Sequence, residues 1–330
     1  MTTSSADVAT THAARDWAGT VGNFLVRHIM IVVMVAIIAF FAYRSARFAT
    51  PDNLLTILVA AAPFALIALG QTLVILTGGI DLSVGSVIAA SAMAAAWSAK
   101  NLGDNPLYPL GAAVLAGLVA GAINGLVVSR LNVPPFIATL GMLTLASGVA
   151  YVIGNGAPIN GLPSSYGVFA NTSIGGITIP VILMIVAIVA FAFIMRRTAY
   201  GLRVYALGGN RFAAEIAGVR SKGILFSVYV ISGLLAGLSG LMLSSRVVTG
   251  APNLGQGYEL DAIAAVVIGG ASLMGGRGTV WGTAVGLLLI QTINNGLDLL
   301  LVPAYWQNVI KGVIIVAAVA VDVWAAKRRK

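Results

Sequence analysis

The chain has 330 residues, of which 59% are apolar and only 9% charged, and its mean hydropathy is +0.98. A soluble domain carries roughly a quarter of its residues charged, so this composition excludes an ordinary soluble enzyme, a nucleic-acid-binding domain and a disordered chain. There is no cysteine and there are two histidines, His12 and His28; disulfides, thiolate metal sites and a cysteine nucleophile are excluded, and a histidine-based metal or acid–base centre is disfavoured.

Residues 1–24 are polar and rich in Ser, Thr and Ala, and read as a cytoplasmic tail. The apolar run that follows is long and lacks a small-residue cleavage site, so it reads as an uncleaved anchor. A spanning helix needs about 20 apolar residues. Runs of that kind fall at 25–43, 54–76, 108–129, 135–153, 179–195, 223–245, 279–300 and 306–325. Two shorter ones, Val84–Trp97 and Glu259–Ala271, adjoin glycine-rich breaks and read as spans or as re-entrant half-helices, which persist only where they are buried or line a wet cavity. The uncharged segment 154–178, with many Gly, Pro, Asn and Ser residues, reads as an ordered cap or a turn-rich loop. The expected fold is an all-α polytopic bundle of about ten helices over 25–326, with a coupling loop at 196–222 and a basic cytoplasmic tail at 327–330.

Charge placement tests the count, because cytoplasmic loops hold the excess of Lys and Arg. Ten crossings from a cytoplasmic N-terminus put 14 of the 19 basic residues inside, among them Arg130, Arg196, Arg197, Arg203, Arg211, Arg220, Lys222 and Arg277. Arg44, Arg47, Lys100 and Arg246 fall outside. An even number of crossings is therefore expected. Lys311 lies within the last helix and is expected to reach outward or to pair with Glu259, Asp261 or Asp298, which avoids a cost of roughly 3 kcal/mol at the bilayer centre.

Glycine breaks in apolar segments point to a transport path, because unwound backbone supplies polar groups there. The first break runs from Thr77 to Ser86 and contains Gly78, Gly79, Asp81 and Ser83; Asp81 or Ser83 caps the following helix, or Asp81 shapes a cytoplasmic gate. The second, Gly269 to Gly278, is its partial echo and is expected on the same side. Neutral polar residues within the helices (Gln71, Thr72, Asn124, Thr139, Thr144, Gln291, Thr292, Asn294 and Asn295) either bond neighbouring helices or line the path of a neutral polyol. Glycines four apart (117, 121 and 125; 233 and 237; 282 and 286) let helix backbones approach closely. In the loop, Arg211–Ala217 reads as a short helix, with a turn at Gly208-Gly209-Asn210 before it and Gly218 as its stop.

The stretches LGQTLVILTGGIDLSVGS from Leu69, NVPPFIATLGML from Asn132, YALGGNRFAAEIAGV from Tyr205 and YELDAIAAVVIGGASLMGGRGTVWGT from Tyr258 resemble the membrane permease of ATP-binding cassette importers for simple sugars, the ribose, xylose, arabinose and galactose type. The resemblance runs from about Pro51 to Asp322. It implies a coupling helix at 205–219 that docks on a separate ATPase, with Asn210 and Arg211 leading in and Ala213, Ala214 and Gly218 at the motif spacing. Glu215 departs from the motif by following the alanines. Enlarging Gly209 or Ala214 is then expected to abolish ATP-dependent uptake.

The chain has no Gly-Lys dipeptide and hence no phosphate loop of its own. It is therefore expected not to be an enzyme and to bind no cofactor, with ATP and Mg used by the partner ATPase. The implied partners are that ATPase, a second permease subunit, an extracytoplasmic sugar-binding protein and the lipid of a bacterial inner membrane. Alternatives are a permease of the same class for a branched-chain amino acid, a sugar alcohol or a signalling furanose, or an ion-coupled secondary carrier.

Overall fold

The computed structural model describes residues 29–313 and residue 316; the predicted tails at 1–24 and 327–330, with His12 and His28, lie outside them. Ten helices correspond to the ten predicted apolar runs: α1 (Ile29–Arg44), α2 (Pro51–Leu76), α3 (Val84–Asn101), α4 (Leu107–Ser129), α5 (Pro135–Ile153), α7 (Ile179–Arg197), α10 (Ser221–Val247), α11 (Tyr258–Ile268), α12 (Val280–Leu299) and a last helical stretch, α13, at 304–313. Between them lie the short α6 (Val168–Asn171), α8 (Ala199–Gly209) and α9 (Arg211–Ile216). By length and composition alone, α2, α4, α5, α7 and α10 are sufficient to cross a membrane.

Local chemistry fixes the helix starts. Thr50 caps α2, with Pro51 opening its first turn, where the missing N–H costs nothing. Thr279 Oγ1 accepts from Gly282 N at 2.9 Å at the start of α12. Successive helices alternate between two ends of the bundle, and one end carries α8 and α9. Arg130, Arg196, Arg197, Arg211, Arg220, Lys222 and Arg277 all stand at or beside this loop end, whereas Arg44, Lys100 and Arg246 close α1, α3 and α10 at the other. Among the described residues, these basic positions therefore gather mainly at the end that carries α8 and α9.

The long helix α10 is the central post, packed along α4, α2 and α3. At its crossing with α4, Gly117 and Gly121 face Gly233, Gly237 and the Tyr229 carbonyl so closely that a β-carbon would overlap backbone. A second seam joins α12 to α11, with Gly282 and Gly286 against Gly269 and Ala265. The glycine spacing is thus used for close packing in both places.

Of its two alternatives, the 154–178 segment forms an ordered cap, at the end opposite the loop. A two-residue hairpin pairs β1 (Ser173–Ile174) with β2 (Ile177–Thr178) through Gly175 and Gly176, both at positive φ, as a type I′ turn requires. Tyr166 Oη meets Ser244 Oγ at 2.6 Å, and Ser245 Oγ donates to the Tyr166 carbonyl at 2.7 Å, which ties the cap to the end of α10.

Helix α11 has 11 residues, about 16 Å at 1.5 Å each, half the thickness of a bilayer core. Its first residue, Tyr258, packs on Phe64 with ring centroids 4.1 Å apart, about 20 Å along α2 from Pro51. It therefore starts in mid-bundle and descends beside α2 to the loop end, where Val266 and Ala271 pack with Ala68 and Ile75. Of the two alternatives open for this segment, a span or a re-entrant half-helix, α11 has the second geometry. The chain reaches α11 through a non-helical stretch, 248–257.

Candidate functional site

Seven of the predicted polar and glycine positions converge at the first break. The chain leaves α2 at Leu76, turns at Gly78 (φ +79) and folds back into the bundle before α3 begins. Sequence reasoning placed Asp81 at the inner end; instead it is only 2% exposed and sits beside Ser232, about 16 Å along α10 from Ser221. The cause is the non-helical 79–83 stretch, which carries Asp81 back to the level of Gln71.

The Asp81 carboxylate accepts three hydrogen bonds. Oδ1 takes the Ser83 N–H at 2.9 Å and Ser83 Oγ at 2.6 Å, and Oδ2 takes Ser232 Oγ from α10 at 2.9 Å. Asn124 of α4 then donates to Ser83 Oγ at 2.9 Å. In the orientation that pairs donors with acceptors, the Gln71 amide of α2 grips the Asp81 backbone, donating to its carbonyl at 3.1 Å and accepting its N–H at 3.2 Å. Thr139 of α5 donates to the Ile80 carbonyl at 3.1 Å. A single buried hub therefore fastens the break to α2, α4, α5 and α10. Asp81 rather than Ser83 meets the free N–H at the start of α3, since Ser83 makes no side-chain capping bond.

Two members of this neighbourhood were missed from sequence. Ser232 carried the same signal as Asn124, a polar residue in an apolar helix, but a serine there usually bonds its own helix. Tyr229 lies beneath the break, its hydroxyl 2.6 Å from where a Gly79 β-carbon would be. A cavity of about 280 Å³ opens here toward the loop end, lined by Gly78, Gly79, Pro134, Pro135, Arg211 and Tyr229 among others.

The α12 residues do not join this hub. Asn295 exchanges two amide hydrogen bonds of 2.9 Å with Asn53 at the opposite end of the bundle. Gln291 Nε2 and Asn294 Oδ1 are buried without a hydrogen-bond partner among the described residues. Thr72 and Thr283 pair at 2.8 Å between α2 and α12. Lys311 pairs with Asp261 at 2.9 Å, one of the acids expected for it.

The coupling loop is more helical than the sequence reading allowed. Gly208 and Gly209 end α8 instead of forming a turn, and the direction changes only at Asn210 (φ −159, ψ 101). Its side chain caps α9 by accepting from Ala213 N at 3.0 Å. Gly218 (φ +83) ends the module, with Val219 N donating to the Ala214 carbonyl at 3.0 Å, the closure that a left-handed glycine permits. Arg211 and Glu215 form an i,i+4 pair at 3.0 Å. Hydrogen bonds from Ser221 and Arg211 hold the Glu215 carboxyl below its usual range.

This module is seated on both breaks. Gly276 N donates to the Leu76 carbonyl at 2.9 Å, and Tyr205 Oη donates to the Gly278 carbonyl at 2.9 Å. A β-carbon on Gly208 would overlap that same Leu76 carbonyl, and one on Gly275 would lie 2.9 Å from Gly78 N. The two glycine breaks are thus side by side, as their echo suggested. A β-carbon on Gly209 meets nothing within 4 Å, so the position sensitive to enlargement within the protein is Gly208. On the outer face of α9, Phe212 and Ile216 are 74% and 72% exposed. This i,i+4 pair, amid Arg211, Glu215, Arg220 and Lys222, was also missed, although its spacing was legible.

Residues 53–319 match the protein family described as branched-chain amino acid transport system / permease component. The chain is 42% identical over 303 residues to the ribose import permease protein of Bacillus subtilis (strain 168), covering 91% of this chain and 92% of that protein. It is 38% identical over 291 residues to the D-allose transport system permease protein of Escherichia coli (strain K12), covering 88% and 89%. With the galactose/methyl galactoside import permease protein of the same strain the identity is 35% over 317 residues, covering 91% and 94%. No solved structure matches the chain.

Proposed function

The chain belongs to the family of permease components of branched-chain amino acid transport systems, and from that premise we propose that it forms, with a second permease subunit, the translocation path of an ATP-driven importer whose cargo is a pentose or hexose. It is a multi-pass transport subunit of the bacterial inner membrane and not an enzyme. The family implies an ATPase and a substrate-binding protein as partners. The sugar assignment follows the ribose, allose and galactose permeases to which the chain is similar. ATP and Mg are used on the ATPase.

The observation that carries the coupling is the seat of α8 and α9. An apolar pair, Phe212 and Ile216, stands exposed on the short helix α9, and α8, joined to it at Asn210, is held against the ends of both glycine breaks through Gly208, Gly209 and Tyr205. Exposed aromatic and aliphatic anchors ringed by charge are what a partner's groove engages. When the ATPase closes, a shift of α9 is passed as a rigid-body displacement to Leu76–Gly79. The hub then carries it to Ser83, Ser232 and Asn124, so that α2, α3, α4 and α10 respond together. Gly78, at positive φ, is the position where the chain can bend.

The test is uptake by the complete complex of permease, ATPase and delivery protein in lipid vesicles. Labelled ribose, allose or galactose should enter only with ATP, and an uncoupler should have no effect while ATP is maintained. Uptake lost to the uncoupler would make the chain an ion-coupled carrier. The family description also raises a branched-chain amino acid as cargo, and leucine uptake without sugar uptake would select that reading.

A further inference from the structure

A polar chamber of about 200 Å³ lies apart from the Asp81 hub, between the first turn of α3, the second half of α5 and the non-helical approach to α11. Ser86, Ser147, Tyr151, Asn253, Gln256 and Glu259 supply its polar groups. Irregular backbone at membrane depth survives only where it is buried in protein or lines water, and Tyr258 fixes this stretch at the level of Phe64, in mid-bundle. Tyr151 is 45% exposed, and Asn253 and Gln256 are exposed as well. A face that combines these side chains with unwound backbone is unsuited to lipid.

The backbone here is built around Glu259. Gly255 (φ +84) and Gly257 (φ +85) allow the left-handed turns that bring the chain to α11. A β-carbon on Gly85 would collide with the Glu259 carboxylate and would lie 2.6 Å from the Gly255 carbonyl oxygen. The starts of α3 and α11 therefore meet at this carboxylate, and their positive helix ends favour its charge.

We propose that this chamber is a cargo-contact site for a single neutral sugar ring, with Glu259 accepting hydrogen bonds from its hydroxyls and Tyr151, Ser147 and Gln256 exchanging bonds with the rest. The assignment rests on the sugar-importer reading above. Its size lies below the roughly 300–1,000 Å³ of pockets for drug-sized ligands, which limits the cargo to about one ring. Glu259 repels an anion, and among the described lining residues there is no Lys or Arg to receive the carboxylate of an amino acid. A polyol presents what the site lacks, an array of neutral donors for an acceptor-only carboxylate.

Because the chain contains no cysteine, single thiols can be introduced directly. In the complete complex in lipid nanodiscs, Ser147→Cys and Ser86→Cys should react with a membrane-impermeant thiol reagent. Val119→Cys, on the apolar groove between α3, α4 and α5, should not. With delivery protein and ATP, the transported one among D-ribose, D-allose and D-galactose should slow labelling severalfold, and leucine should not. Glu259→Gln should lower uptake at subsaturating sugar about tenfold, the value of one charge-assisted hydrogen bond. Tyr151→Phe, which removes a single hydroxyl and leaves the packing intact, should lower it severalfold. Stimulation of the ATPase by sugar-free delivery protein should persist in both.

Thiols that stay unreactive or indifferent to sugar, or full uptake by both variants, while the unaltered complex imports sugar, would overturn the site alone. Protection by leucine would overturn the sugar assignment of the chamber. An unaltered complex that imports none of the three sugars would overturn the functional reading and this site with it.

Discussion

Gly208→Ala adds one methyl group at the point where the coupling module meets the membrane helices. The new carbon would overlap the Leu76 carbonyl oxygen and lie 2.6 Å from Gly276 N. Those two atoms are themselves hydrogen-bonded at 2.9 Å, so the methyl either splits the pair or lifts α8 away. Overpacking costs about 1–3 kcal/mol, and the lost backbone hydrogen bond costs about 0.5–1.5 kcal/mol. The seated loop is therefore penalised by about 1.5–4.5 kcal/mol, which corresponds to about a 12- to 1,600-fold shift toward an unseated loop.

The strain can be relieved at the bundle's end without opening the α4–α10 seam, so insertion and helix content should be unchanged. In vesicles holding the complete complex, ATP-dependent uptake should fall at least tenfold relative to ATP hydrolysed. Gly223→Ala, at the same end on α10 with nothing within 4 Å of its new carbon, should leave uptake intact. Normal uptake per ATP in Gly208→Ala would refute the idea that the seat carries motion from α9 to the membrane helices.

Asp81→Ala leaves the Ser83 N–H and the Ser83 and Ser232 hydroxyls without their acceptor. At about 1–3 kcal/mol per unsatisfied buried group, thermal unfolding in detergent should occur at a clearly lower temperature, and an unchanged midpoint would remove the hub. Gly121→Val should destabilise by about 1–3 kcal/mol through overpacking against the Tyr229 carbonyl, whereas Gly111→Val meets open space and should show no such packing penalty; equal melting of the two would refute the seam. Asn210→Ala removes the α9 cap, worth about 1 kcal/mol, and should speed amide exchange at 211–217, with Asn210→Asp restoring it. The Glu215 carboxyl is held low by Ser221 and Arg211, so its contribution is complete above the ordinary carboxylate pKa and is lost only as pH falls through the lower, folded value. Exchange protection of α9 should accordingly stay level from neutral pH down to about pH 5, and a loss above that would contradict the pairing.

The helices were legible because each spanning run must satisfy its backbone internally and offer an apolar surface to lipid, and both demands are written in composition. Asp81, Ser83, Gln71 and Asn124 were also legible, since a polar side chain in an apolar run needs a partner. What could not be read was that they are partners of one another. That depends on how far residues 79–83 climb back along α2, and a non-helical stretch leaves no periodic trace. The end of α8 was misread for a related reason: a Gly-Gly pair signals a turn locally, but here the glycines remain helical because backbone from Leu76 and Gly276 presses against them. Asn295 was grouped with the path by residue type, and only tertiary position shows it joined to Asn53 instead.

The order of these features along the bundle bears on how cargo and ATP are linked. The seat at Gly208, the bend at Gly78, the hub at Asp81 and the start of α3 at Val84 follow one another from the loop end into the bundle, and the next residue, Gly85, touches Glu259. Each link is backbone contact or a buried hydrogen bond, and packed or hydrogen-bonded backbone switches between discrete arrangements more readily than it stretches. A displacement of α9, passed through α8 to its seat, therefore reaches Glu259 through ten residues of chain, from Leu76 to Gly85. The same route runs in reverse: a sugar ring held against Glu259 would bias Gly85, and through the hub it would bias the seat. Substitutions at Asp81 too mild to unfold the protein should then weaken two effects together, the uptake achieved per ATP hydrolysed and the stimulation of ATPase by cargo. Loss of one without the other would mean that the hub is a structural clamp beside the transmission route and not a link within it.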